Sequence, residues 1–191
     1  MARNATNKLL QKAKKLKSDE FYTQYCDIEN ELQYYKSQFS GKSVYCNCDD
    51  PRVSNFFKYF SVNFHELGLE KLIASCYVER DVDIFSNGVV KNGFYYEYRG
   101  ESKEGCVLDD IKPSYFDGDG DFRSSESIEL LKKSDVVVTN PPFSLFREYL
   151  EQLIKYEKKF LIIANVNSIT YKEVFKLIKD NKLWLGVHLG R

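Results

Sequence analysis

Two hydrophobic rhythms alternate along this 191-residue chain and predict the order of its elements. Residues 43–48, 71–77 and 160–165 are short and largely apolar, and the run Asp135-Val136-Val137-Val138-Thr139 is apolar and β-branched, as buried strands are. Between them, apolar side chains recur every three or four positions. Leu9, Leu10, Ala13 and Leu16 predict a helix over 7–17, and similar spacing predicts helices over 27–39, 54–67, 125–133, 144–156 and 168–181. Gly41 and Gly68 stand where two of these should stop. Asn92-Gly93, inside 89–98, signals a hairpin with a type I′ turn. Residues 106–111 read as a short third strand and 183–187 as a last one. Strands alternating with helices imply a doubly wound, mostly parallel α/β sheet.

Composition narrows the class. A hydrophobic fraction of 43% and an aromatic fraction of 15% support a packed core. No apolar stretch is long enough to span a bilayer, and the polar, basic N-terminus is no secretory signal, so a cytoplasmic location is expected. Cys26, Cys46, Cys48, Cys76 and Cys106 form no Cys-x-x-Cys pair and read as reduced thiols. No metal is expected. Net charge is zero, but residues 1–18 hold six cations and no acid, leaving 22 cations against 28 acids beyond them. The basic arm suits DNA phosphates or, equally, a solvated helix face. No Gly-x-x-x-x-Gly-Lys-Ser/Thr phosphate loop is present.

Chemistry concentrates at Asn140-Pro141-Pro142-Phe143, directly after the Val136–Val138 run. Neither proline has an N–H and each has a fixed φ, so the turn is stiff. Carboxyl ends of strands are where open α/β sheets bind ligands. The Asn140 side-chain oxygen and the Pro141 carbonyl can accept from an exocyclic amine, pyramidalising it and aiming its lone pair at a methyl group. That is catalysis by positioning and fixed dipoles. Phe143 suits stacking on a flat ring.

Asn-Pro-Pro-Phe is similar to the catalytic motif of N6-adenine DNA methyltransferases. Asp19-Glu20-Phe21-Tyr22-Thr23-Gln24, residues 46–57 from Cys46 to Phe57, and Gly118-Asp119-Gly120-Asp121-Phe122-Arg123-Ser124 resemble the EcoRI-type modification methylase branch. The resemblance implies a class I, Rossmann-like methyltransferase sheet and S-adenosylmethionine as cofactor. Its partner would be double-stranded DNA with the target adenine flipped out. It implies that Phe21, Tyr22 and Thr23 cover the methionine moiety. Asp50, after which Pro51 stiffens the turn, or else Asp49, would hold the ammonium. Glu79 or Asp81 would bind the ribose, and Asp121 with Phe122 the adenine of the cofactor. Ser54 and Phe56 stand where the common methyltransferase pattern has glycines, a departure that the EcoRI-type branch shares.

Residues 1–40 read as a helical segment carrying the early cofactor motif, and 41–191 as the catalytic domain. Family members extend well past Arg191, so a C-terminally incomplete domain lacking its target-recognition part is expected, and a monomer. Each residue has a plainer reading. The acids suit helix N-termini, the Phe21–Tyr22 pair suits core packing, and Gly118–Asp121 suits a solvated turn without the later ligands of a calcium loop. Ser144 is a candidate helix cap, and Asn165 and Asn167 sit at a strand end. His65 and His188 have no partners at metal spacing. The alternatives to DNA adenine methylation are a catalytically incomplete fragment, or methylation of an RNA adenine or a protein amide. Protein-modifying enzymes usually carry Asn-Pro-Pro-Tyr, so Phe143 favours a nucleobase.

Overall fold

The computed structural model describes residues 23–78, 92–102, 108 and 111–188. Six strands form one sheet: β1 (Ser43–Cys46), β2 (Lys71–Cys76), β3 (Phe94–Tyr98), β4 (Ser114–Tyr115), β5 (Val136–Thr139) and β6 (Lys159–Ile162). Their spatial order is β4-β3-β2-β1-β5-β6. β1 runs parallel to β2 and β5, and β5 parallel to β6, while β3 and β4 are added antiparallel beyond β2. The described helices are α1 (Tyr25–Leu32), α2 (Asn55–Val62), α3 (Ser125–Lys132), α4 (Phe146–Lys155) and α5 (Lys172–Lys179).

Successive side chains of a strand face opposite ways, and β1 shows the consequence. Val44 and Cys46 enter a core with Ile28 and Leu32 of α1 and Phe56, Phe57 and Phe60 of α2. Tyr45, between them, faces a second core with Leu130 and Leu131 of α3 and Tyr149 and Leu153 of α4. Helices therefore cover both faces, which explains why the central strands are unbroken apolar runs. A smaller cluster of Phe146, Leu150 and Val174 packs α5 against α4. Two helices begin on serine caps: Ser54 Oγ accepts from Phe57 N and Ser124 Oγ from Ser127 N.

Four expectations change. Gly93 lacks the positive φ that a type I′ turn needs. Gly93 instead starts the approach to β3, where an added Cβ would lie 2.4 Å from the Asp119 carbonyl oxygen. β3 lies antiparallel beside β2; most of residues 106–111, expected as a short third strand, lies outside the described residues, as do 7–17 and 89–91. Residues 183–187 form no strand; at their end the Glu31 carboxylate accepts the Val187 and His188 amides at 2.8 and 2.9 Å. Ser144 caps no helix: it sits inside a 3-10 turn, Phe143–Leu145, that precedes α4. Residues 168–181 likewise divide into a 3-10 turn, Val166–Thr170, and α5.

Candidate active site

β2 lies on one side of β1 and β5 on the other, so the sheet's switch point falls between β1 and β5, where such folds open a crevice. A cleft of about 500 Å³ lies there. Its walls come from the tips of β1, β2 and β5, from the acidic loop before α3, and from Thr23 at the approach to α1. The sequence predicted three of these tips as site segments.

The β5 corner is fixed from beneath. Thr139 is fully buried, and its hydroxyl donates to the backbone carbonyl of Asn47 at the tip of β1. Tyr149 of α4 donates its hydroxyl to the Asn47 side-chain oxygen. Burial raises the Tyr149 phenol well above its ordinary pKa, so it stays a donor. Asn47 thereby joins β1, β5 and α4 at one buried point.

Asn140 and Pro142 line the cleft. Asn140 is 8% exposed, and its Oδ1 is buried with no hydrogen bond to the described residues, although the residue is held by other interactions. Pro141 is buried, and Phe143 is half-buried next to the cleft wall rather than on it. Pro142 directs its carbonyl to Leu145 N at 3.0 Å, which starts the turn into α4.

On the cofactor side, two acids are held in the same way. Asp50 Oδ1 accepts Arg52 N at 3.0 Å, and the Arg52 guanidinium folds back to Asp50 Oδ2 at 2.6 Å. Asp121 Oδ1 accepts Arg123 N at 2.8 Å, and Arg123 closes on Oδ2 at 2.7 Å. For Asp50, burial works to raise the pKa, but donation from Arg52 outweighs it and the carboxyl sits below its ordinary value. For Asp121, donation from Arg123 is the largest influence and also lowers it. Both acids line the cleft as carboxylates. Pro51 is buried and lines a smaller neighbouring hollow. Asp49 accepts from Ser54 Oγ at 3.4 Å.

The acidic loop is braced on three sides. Glu126, in the first turn of α3, accepts Asp117 N and Gly118 N at 2.9 and 3.0 Å. Val78 N donates to Asp119 O at 2.8 Å. Gly120 has φ +82° and lies so near β2 that a Cβ would meet the Cys76 carbonyl oxygen at 2.6 Å. Phe122 is 7% exposed and lies edge-on to Tyr149, with ring centroids 5.1 Å apart. Its ring belongs as much to the α4 core as to the cleft.

Thr23 reaches the cleft, and its Oγ1 is buried without a partner among the described residues. Phe21, Tyr22, Glu79 and Asp81 lie outside the described residues. Asn165 caps the Val166–Thr170 turn and, like Asn167, is not part of the cleft wall. His65 bonds Ser102 O at 2.9 Å and His188 bonds Glu31 at 3.1 Å. Among the described residues, no group of three metal-ligating side chains is placed to hold an ion, and no helix is long and apolar enough to cross a membrane. Asn47, Tyr149, Glu126, Arg52 and Arg123 are the participants that sequence reasoning missed.

A six-stranded, mostly parallel sheet covered on both faces, with a crevice at its switch point, is a Rossmann-like methyltransferase fold. The chain belongs to the adenine-specific methyltransferase EcoRI family, whose model matches residues 9–191. It is 79% identical over 191 residues to the Type II methyltransferase M.EcoRI of Escherichia coli, covering all of this chain and 59% of that protein. It is 39% identical over 180 residues to the Type II methyltransferase M.MgeORF184P of Mycoplasma genitalium, covering 94% of this chain and 51% of the relative. A similar match, 39% over 175 residues, covers 92% of this chain and 49% of M.MpnI of Mycoplasma pneumoniae. The chain thus spans between about half and three-fifths of the length of these relatives. No solved structure matches it significantly. Membership of a methyltransferase family implies a methyl donor.

Proposed function

We propose that this chain is the cofactor-binding and catalytic portion of a site-specific DNA adenine N6-methyltransferase that uses S-adenosylmethionine and belongs to a restriction-modification system in the bacterial cytoplasm. The observation that carries the reading is that Asn140 and Pro142 share one cleft with Asp50 and Asp121. A donor and an amine can then meet in a single crevice, whose volume of about 500 Å³ suits a nucleoside-sized ligand.

The residues fit that cofactor. Thr23 Oγ1 is a buried hydroxyl that a ligand's carboxylate would satisfy. Phe21 and Tyr22 would cover the methionine part. Asp50, with Pro51 stiffening its turn, holds the ammonium, with Asp49 beside it. Glu79 accepts from the ribose hydroxyls. Asp121 accepts from the adenine amine, and Phe122 packs on the ring. A carboxylate at that place favours an amine over an oxo base.

When bound, S-adenosylmethionine supplies a methyl group activated by a positively charged sulfur. Asn140 Oδ1 and the Pro141 carbonyl accept the two N–H groups of the target amine, which localises the nitrogen lone pair and points it into the cleft. Phe143 stacks on the target base. Double-stranded DNA is the partner, and the adenine leaves the duplex at a cost of about a few kcal/mol. No metal takes part, and a monomer suffices.

The test is transfer of tritiated methyl from S-adenosylmethionine to duplex DNA by the purified chain, followed by nucleoside analysis, with calorimetric titration of the cofactor alongside. Labelled N6-methyladenine supports the full reading. Cofactor binding without transfer means that this portion is catalytically incomplete by itself. Label in RNA or protein but not in DNA overturns the substrate class, and absence of binding overturns the cofactor.

A further inference from the structure

The chain beyond residue 18 carries 22 cations and 28 acids. On average it repels a polyanion, so contact with nucleic acid needs a place where cations are concentrated. One such place lies beside the cleft. Lys172, Lys176 and Lys179 occur at i, i+4 and i+7 on α5 and are all exposed. This spacing sets them on one face, over about 10 Å of helix. None of the three is ion-paired with a described residue. The nearby acids, Glu173 on α5 and Asp180 just after it, fall to one side of this stripe, and Phe175, 60% exposed, to the other.

Arg147 extends the stripe toward the Asn140 corner. It is exposed, and its guanidinium lies over the Tyr171 ring, 4.2 Å from the centroid. Tyr171 immediately precedes α5. The neighbouring acid Glu148 is already paired with Arg123 at 3.1 Å. Position follows from register: Thr139 pairs with Ile162, so the chain leaves β6 at the same end of the sheet as Asn140. Arg147 and Lys172 there begin the band.

Helix stability does not account for these two residues. Lys176 and Lys179 occupy the last turn of α5, where a helix dipole favours cations. Arg147 and Lys172 occupy the first turns of α4 and α5, where the dipole opposes a cation and favours an anion. Two cations placed against the dipole, Arg147 stacked on the Tyr171 ring and Lys172 on the residue that follows it, make an anion-seeking surface.

We propose that Arg147, Lys172, Lys176 and Lys179 form a band that receives the phosphate backbone of the nucleic acid whose base enters the cleft. This rests on the reading of DNA as the substrate. The band positions a strand without reading bases, as phosphate contacts do.

The experiment is fluorescence anisotropy of labelled duplex DNA at a series of potassium chloride concentrations. The unaltered chain is compared with a variant carrying Arg147→Gln, Lys172→Gln, Lys176→Gln and Lys179→Gln. A control carries Lys155→Gln and Lys159→Gln, exposed at the opposite end of the sheet. Each lost phosphate contact makes the log–log salt slope shallower by about 0.9, so the band variant should lose up to about 3.6 units of slope. Its affinity should fall at least tenfold at low salt, with calorimetric cofactor binding unchanged and the control near the unaltered chain. An unchanged slope in the band variant, or an equal loss in the control, overturns the band alone. No DNA binding by the unaltered chain overturns both the band and the substrate class.

Discussion

The Tyr149 hydroxyl donates to the side-chain oxygen of Asn47 across 102 residues of sequence, entirely within the core. It ties α4, which follows the Asn140 corner, to β1, which leads into the cofactor side. Tyr149→Phe leaves the Asn47 oxygen buried without that donor. Unfolding in urea should show a loss of about 1–3 kcal/mol. Thr139→Val, which removes the hydroxyl donating to the Asn47 carbonyl, should cost a similar amount. Because both bonds meet at Asn47, the double variant should lose less than the sum of the two. Strict additivity would mean that Asn47 is not a shared anchor.

Asp121 makes a prediction about acid. Arg123 holds its carboxyl below the ordinary value. A group whose folded pKa is depressed adds stability above its unfolded pKa, near 3.9 for Asp. That contribution is lost as pH falls through the lower folded value. Asp50 is depressed in the same direction, although its burial acts against the Arg52 bonds. Stability should therefore fall steeply below about pH 4. Arg123→Gln should be less stable near neutrality and show a shallower acid limb in denaturant titrations at pH 3, 4 and 5. An identical limb would show that the pair contributes nothing.

Gly120 is the residue at which backbone shape and cleft shape coincide. With φ +82° and only 2.6 Å between an added Cβ and the Cys76 carbonyl oxygen, Gly120→Ala should cost about 1–3 kcal/mol from strain. It should also push Asp121 and Phe122 away from β2 and weaken cofactor binding at least tenfold by calorimetry. Unaltered binding would separate this loop from the cofactor.

Glu31 pins residues 187–188. Burial raises its carboxyl pKa, but donation from the His188 and Val187 amides, Tyr35 and the His188 ring outweighs this and leaves it lowered. Glu31→Ala should therefore speed hydrogen exchange at the Val187 and His188 amides. Unchanged exchange would mean that the clasp does not order that segment.

How much of this was legible beforehand depended on how local the signal was. The Val136–Val138 run announced a strand because burial on both faces leaves no polar position in it, and Asn140 followed from its end. The acids at 50 and 121 were legible as site candidates, but their clasp by Arg52 and Arg123 was not, since an Asp-x-Arg spacing fixes no geometry by itself. Asn47 was invisible because its partners are Thr139 and Tyr149, 92 and 102 residues away. Residues 183–187 looked like a strand because Leu183, Leu185 and Val187 alternate. Trp184 is 69% exposed and no strand among the described residues pairs with the segment. The turn at Asn92-Gly93 was misjudged for a related reason: β3 pairs antiparallel with β2, a distant partner that the dipeptide does not reveal.

Asn140→Ala tests the central claim most directly, with cofactor affinity and methyl transfer to adenine N6 measured on the same preparation. If the amine is gripped at the β5 corner, S-adenosylmethionine should bind within about threefold of the unaltered chain. Transfer should fall at least about a hundredfold, as it does when one preorganised polar group is removed. Transfer at the unaltered rate, or loss of cofactor binding in step with transfer, would contradict the account.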